Sequence, residues 1–111
     1  MSKSEAITAA AVTRKTDGTG TVEVFFEQDR LLLARLIIAP GCSLNRDVHP
    51  QGEEGYYVLA GELTVELPER SEVITVKQGE AFFIAENTAH IAANRGHETV
   101  YAVAAIGGKV S

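Results

Sequence analysis

Along most of the chain, apolar and polar residues alternate or run together over strand lengths, not helix lengths. Thr21-Val22-Glu23-Val24-Phe25-Phe26 is β-rich and partly alternating. Leu31 to Ile38 is nearly continuous in apolar residues and stops at Pro40-Gly41, a turn signal. Glu54 to Ala60 reads as a further strand ending at Gly61. Leu63, Val65 and Leu67 then alternate with Glu62, Thr64 and Glu66, the cleanest period-two stretch in the chain. Pro68-Glu69-Arg70-Ser71 makes a turn, and Val73 to Val76 returns as a hairpin partner. After Gln78-Gly79-Glu80, short strands are expected at 81–85, 89–94 and 99–106. Only Ser4 to Val12 is Ala-rich enough for a helix, and it reads equally well as an edge strand or N-terminal arm. Many short strands with frequent turns predict an all-β sandwich or small β-barrel.

Length and charge narrow this further. The chain has 111 residues, 45% of them apolar, which suits one domain over 1–111. No run of about 18 apolar residues exists, so a membrane partner is not expected. Ten basic against fifteen acidic residues give a net charge of −5, and no basic cluster offsets it. Nucleic acid is therefore not an expected partner either. One cysteine, Cys42, rules out an internal disulfide and a multi-cysteine zinc site, and is read as a small apolar side chain. With no signal-like segment at the start, the expected compartment is cytoplasmic. The core available at this size is modest, so a homodimer that hides more apolar surface is expected.

The chemistry concentrates in four residues. Asp47 and His49 are two apart, so on a strand they share a face. Glu54 follows across Pro50-Gln51-Gly52, and His90 lies on a distant strand that a barrel can bring to the same place. Two imidazoles and two carboxylates form a mixed nitrogen and oxygen donor set suited to Fe, Mn, Ni or Zn as a divalent ion. On ligand types alone, two ordinary polar histidines remain the competing reading.

The spacing around these residues resembles the cupin family. Gly41, five residues, Asp47-x-His49, four residues, Glu54, six residues and Gly61 follow its first motif. Gly79, five residues, Ala85-Glu86-Asn87, two residues, His90, three residues and Asn94 follow its second. The resemblance covers 41–94 and implies a double-stranded β-helix, a jelly-roll-like barrel, holding a metal through three histidines and one glutamate. Three residues depart from it. Ala85 and Asn87 replace a proline and a glycine, and Asn87 suits a left-handed turn position. Asp47 replaces the first histidine. It is then either a fourth metal ligand through oxygen, which favours harder metals, or a base beside the metal.

What the resemblance implies for function divides three ways. The first is an enzyme acting on a small organic molecule through one divalent transition metal, with dioxygenase, isomerase and cyclase chemistry all open. The second is a non-catalytic barrel that binds or senses a small molecule. The third is a metal-free structural barrel. In the enzyme reading, His49, Glu54 and His90 hold the metal, and Asp47 and Tyr56 are the catalytic candidates. Tyr56 and Val58 share the parity of Glu54 and should face inward, with Tyr56 in the pocket or packed in the core. Tyr57 should face out, at a dimer contact. Arg35, a charge in an apolar strand, is a candidate for binding a substrate carboxylate, or else an outward arginine paired with an acid. Phe82 and Phe83 read as core, Asn94 as a structural hydrogen bonder, Gly41, Gly61 and Gly79 as turn glycines, and Arg46 and His97 as surface.

Overall fold

A computed structural model describes residues 3–108 of the chain. Nine strands run through them: β1 (Thr13–Asp17), β2 (Gly20–Glu27), β3 (Leu31–Ile38), β4 (Gly52–Ala60), β5 (Glu62–Leu67), β6 (Glu72–Lys77), β7 (Ala81–Ile84), β8 (Ile91–Ala93) and β9 (Val100–Gly108). Every pairing is antiparallel. One sheet has the order β1-β2-β3-β9-β4-β7, the other β6-β5-β8. The fold is all-β, as expected.

Side-chain alternation decides what lies between the sheets. On β3 the inward set is Ala34, Leu36 and Ile38, and on β9 it is Val100, Ala102, Ala104 and Ile106, all buried. On β4 the buried set is Glu54, Tyr56 and Val58, while Tyr57 points out. Leu63, Val65 and Val76 close the core from the smaller sheet. A one-residue slip of β4 would turn Glu54 and Tyr56 out to solvent, so the apolar register also fixes the polar site.

The first strand was absent from the sequence reading. β1 pairs with β2 through a two-residue turn, Gly18-Thr19, with Gly18 at φ 59°. Asp17-Gly18 is a hairpin signal, and glycine at the first turn position fits a type II′ turn. The Ala-rich segment is neither long helix nor strand. It holds one 3-10 turn, Ala9–Ala11, with no buried residue. Nine residues without a face to bury fall below the length at which a helix sustains itself. Residues 1 and 2 of that arm lie outside the described range.

Phe83 corrects the sequence reading. It is 62% exposed on the outer face of β7, while its neighbour Phe82 packs against the core. In a strand, consecutive phenylalanines cannot share a face. The turn glycines behave as expected, with Gly41, Gly61 and Gly79 at φ 80°, 79° and 83°. Asn87 takes the left-handed region at φ 58°.

Candidate metal centre

Of the first-motif residues, Asp47 and His49 do not lie on a strand. After β3 the chain runs as an extended loop, laced by backbone hydrogen bonds onto the segment around β8. Leu44 N–H donates to the Ala92 carbonyl at 2.8 Å, and Asn94 N–H to the Cys42 carbonyl at 2.9 Å. Asp47 and His90 exchange both backbone bonds, at 3.0 and 2.9 Å, and Asn87 N–H donates to the His49 carbonyl at 2.8 Å. This lacing carries Asp47 and His49 to His90. Asn94 anchors its far end. Its buried amide donates to the Ile38 carbonyl at 2.8 Å and the Glu98 carbonyl at 2.7 Å, and accepts from Gly96 N–H at 2.9 Å. Its structural role is thus as read.

Glu54, from the buried face of β4, completes the cluster. Its Oε1 lies 2.8 Å from His90 Nε2 and 3.7 Å from His49 Nε2. One donor atom from each of these three residues falls within 4.8 Å of the others. Ligands about 2.1 Å from a shared ion span at most about 4.2 Å, so small side-chain adjustments suffice. Asp47 is outside this trio. Its side chain is 59% exposed, with Oδ2 3.4 Å from His49 Nε2 and Oδ1 accepting from Val48 N–H at 2.8 Å.

The protonation pattern fits a metal. His90 Nδ1 lies 2.9 Å from the Thr88 carbonyl, which can only accept, so Nδ1 carries the hydrogen. Neutral His90 then presents a lone pair at Nε2 towards Glu54. Glu54 Oε1 is left as a buried acceptor with no hydrogen-bond donor. Burial pushes the His90 pKa down, but the Glu54 carboxylate, the Thr88 carbonyl and the charge of Asp47 outweigh it and raise it above its ordinary 6.5. In the absence of metal, a proton between Nε2 and Oε1 relieves the same crowding of lone pairs.

Tyr56 lines the cavity beside His90, ring to ring at 6.2 Å and edge-on. Burial, then the nearby charges of Glu54, Asp47 and Asp17, hold its phenol well above its usual pKa of 10. It therefore acts at neutral pH as a donor. The cavity measures about 220 Å3. It is below the ~300–1,000 Å3 of pockets that take drug-sized ligands, so it suits a small molecule.

Arg35 is not among the residues that line it. It stands on the outer face of the sheet opposite Glu23, with Nε donating to Glu23 Oε1 at 2.7 Å. Arg14 holds the other carboxylate oxygen at 3.0 Å. The Arg14 hydrogen bond, then that of Arg35, pulls the Glu23 carboxyl below its usual 4.5. Arg35 thus takes the second of the two roles read for it, an outward arginine paired with an acid. Lys15, Asp17, Glu27 and Asn45 line the cavity and escaped the sequence reading. The alternation of Lys15 and Asp17 was their only signal, and it depended on recognising β1.

The cupin domain model matches residues 34–106, and the chain belongs to that family. No curated protein sequence matches the chain. Among solved structures, it is similar to a protein with a double-stranded β-helix domain from Klebsiella pneumoniae, with a TM-score of 0.81 and 22% identity over 98% of this chain and 95% of that one. It is similar too to a predicted oxalate decarboxylase from Thermotoga maritima, at 0.75 and 22% over 94% and 99%. The polyketide cyclase RemF from Streptomyces resistomycificus aligns at 0.75 and 20% over 95% and 80%. At these identities the likeness establishes the shared fold.

Proposed function

We propose that the chain binds one divalent transition metal through His49, Glu54 and His90 and acts on a small organic molecule in the adjoining cavity. The observation that carries this reading is the buried Glu54 Oε1, without a hydrogen-bond donor, between two imidazole Nε2 atoms. A bound ion would supply Lewis acidity towards substrate oxygens. Around it, the chain's own groups divide the proton work. Asp47 Oδ2 is an exposed carboxylate oxygen at the mouth, placed to accept a proton. The Tyr56 hydroxyl, held protonated, lines the cavity as a hydrogen-bond donor. The apolar wall of Val22, Leu36 and Ala104 excludes water from the space between them. A carboxylate and a hydroxyl donor lining one cavity suit isomerisation or cyclisation. The polyketide cyclase with which the chain shares its fold is one neighbour compatible with this. A cytoplasmic setting belongs to the same reading.

The test is elemental analysis of tag-free protein purified without chelator or added metal, followed by reconstitution. About one Fe, Mn, Ni or Zn per chain is expected, falling to background in His49→Ala and His90→Ala. Failure to load any of these metals overturns the reading. Asp47 in place of a ligating histidine favours a second possibility, binding without turnover. That version predicts thermal stabilisation by a ligand that is recovered unchanged.

A further inference from the structure

The charges around the cavity constrain what can enter it. Among the described residues, one lysine, Lys15, faces four carboxylates, Asp17, Glu27, Asp47 and Glu54. Their balance is −3, which a divalent ion would bring to −1. No arginine lines the cavity, and Arg35 is engaged with Glu23 on the other side of the sheet. Two of the acids are held in place by backbone hydrogen bonds. Asp17 accepts the Asn45 N–H at 2.9 Å and Asp47 the Val48 N–H at 2.8 Å. The net charge of −5 on the whole chain adds to the same field. Behind these groups the cavity is walled by aliphatic side chains from β2, β3 and β9. The polar feature at its floor is the donorless Glu54 Oε1.

We infer that the cavity selects an uncharged, part-apolar small molecule and rejects dicarboxylates. This rests on the metal-binding reading above. A dianion would return the balance to −3 with no guanidinium to meet it. A neutral molecule leaves it at −1 and places its carbon skeleton against the aliphatic wall.

The experiment compares butane-2,3-dione with oxalate, which present the same pair of neighbouring oxygens without and with charge, by calorimetry on zinc-loaded protein after zinc uptake has been measured separately. The dione is expected to bind and oxalate to bind more weakly. Removing one carboxylate, in Glu27→Gln, should tighten oxalate about fivefold, as expected for a dianion about 8 Å from a unit charge in a largely aqueous medium. The dione should change less than twofold. Oxalate binding as tightly as the dione, or showing no response to the substitution, overturns the inference. If zinc is not taken up, the metal reading has failed, and the comparison is repeated on metal-free protein, where the charge argument is stronger. Dione binding without oxalate there upholds the charge selection. Oxalate binding, or binding of neither, overturns it.

Discussion

At the scale of single residues, His90 and Asn94 do opposite kinds of work. The His90 Nε2 must be bare to hold a metal, yet Glu54 and Thr88 raise its affinity for a proton. Metal affinity should therefore climb about tenfold per pH unit below its folded pKa and level off above it. Without metal the sign reverses. The stability from protonated His90 is complete below about 6.5, its unfolded value, and is lost as pH rises through the raised folded value. Zinc titrations and melting curves across this range check both trends, and a flat metal profile would contradict the assignment of His90. Asn94 is instead structural. Asn94→Ala strands three backbone groups in a buried place and should cost about 2–4 kcal/mol. Urea denaturation would show it. The sequence made His49, Glu54 and His90 legible because their donor types and spacing are dictated by chemistry. It left two roles open for Arg35, because whether an arginine points in or out depends on the register of β3 against β2. That register sets it opposite Glu23.

At the scale of elements, strands with strong alternation or an unbroken apolar run were legible, and the one with no apolar residue was not. β5 was plain from its period of two. β1 was missed because Thr13 to Asp17 carries no apolar residue, and it is held as an edge by strand pairing with β2, by the Arg14–Glu23 ion pair and by the Asn45 N–H bond to Asp17. Yet β1 brings Lys15 and Asp17 to the cavity. Its turn is wedged against the first-motif loop. Thr19 N–H donates to the Ser43 carbonyl at 2.8 Å, and a Cβ on Gly18 would sit 2.5 Å from that oxygen. Gly18→Ala should thus cost roughly 1–3 kcal/mol from strain at positive φ, with further loss from the clash. Because Asp17 and Asn45 are tied across the same junction, ligand affinity should fall together with stability. Loss of stability in denaturation with ligand binding intact would show that β1 is a passive edge.

At the scale of the whole molecule, the larger sheet is apolar on both faces, the signature of a sheet covered on both. Its inner face covers the core. Its outer face is read row by row across the register. Phe26, Leu33, Ala105, Gly55 and Phe83 form one row, and Thr21, Ile37, Tyr101 and Ala60 another. Between them run Glu23, Arg35, Val103, Tyr57 and Ala81, and Glu23 there is paired both with Arg35 and with Arg14 of β1. Tyr57, Leu59, Phe83 and Tyr101 remain 47%, 43%, 62% and 39% exposed. Monomers rarely leave such a contiguous surface in water. A second copy of the chain is the occupant this face suits, because a two-fold contact matches the apolar rows with themselves. A homodimer is therefore expected by light scattering, with a melting temperature that rises with protein concentration. Phe83→Glu should give a monomer of unchanged β-sheet circular dichroism, since that ring contributes nothing to the core. A wild-type chain that is monomeric at all concentrations would mean that this face is left to water or to a different partner.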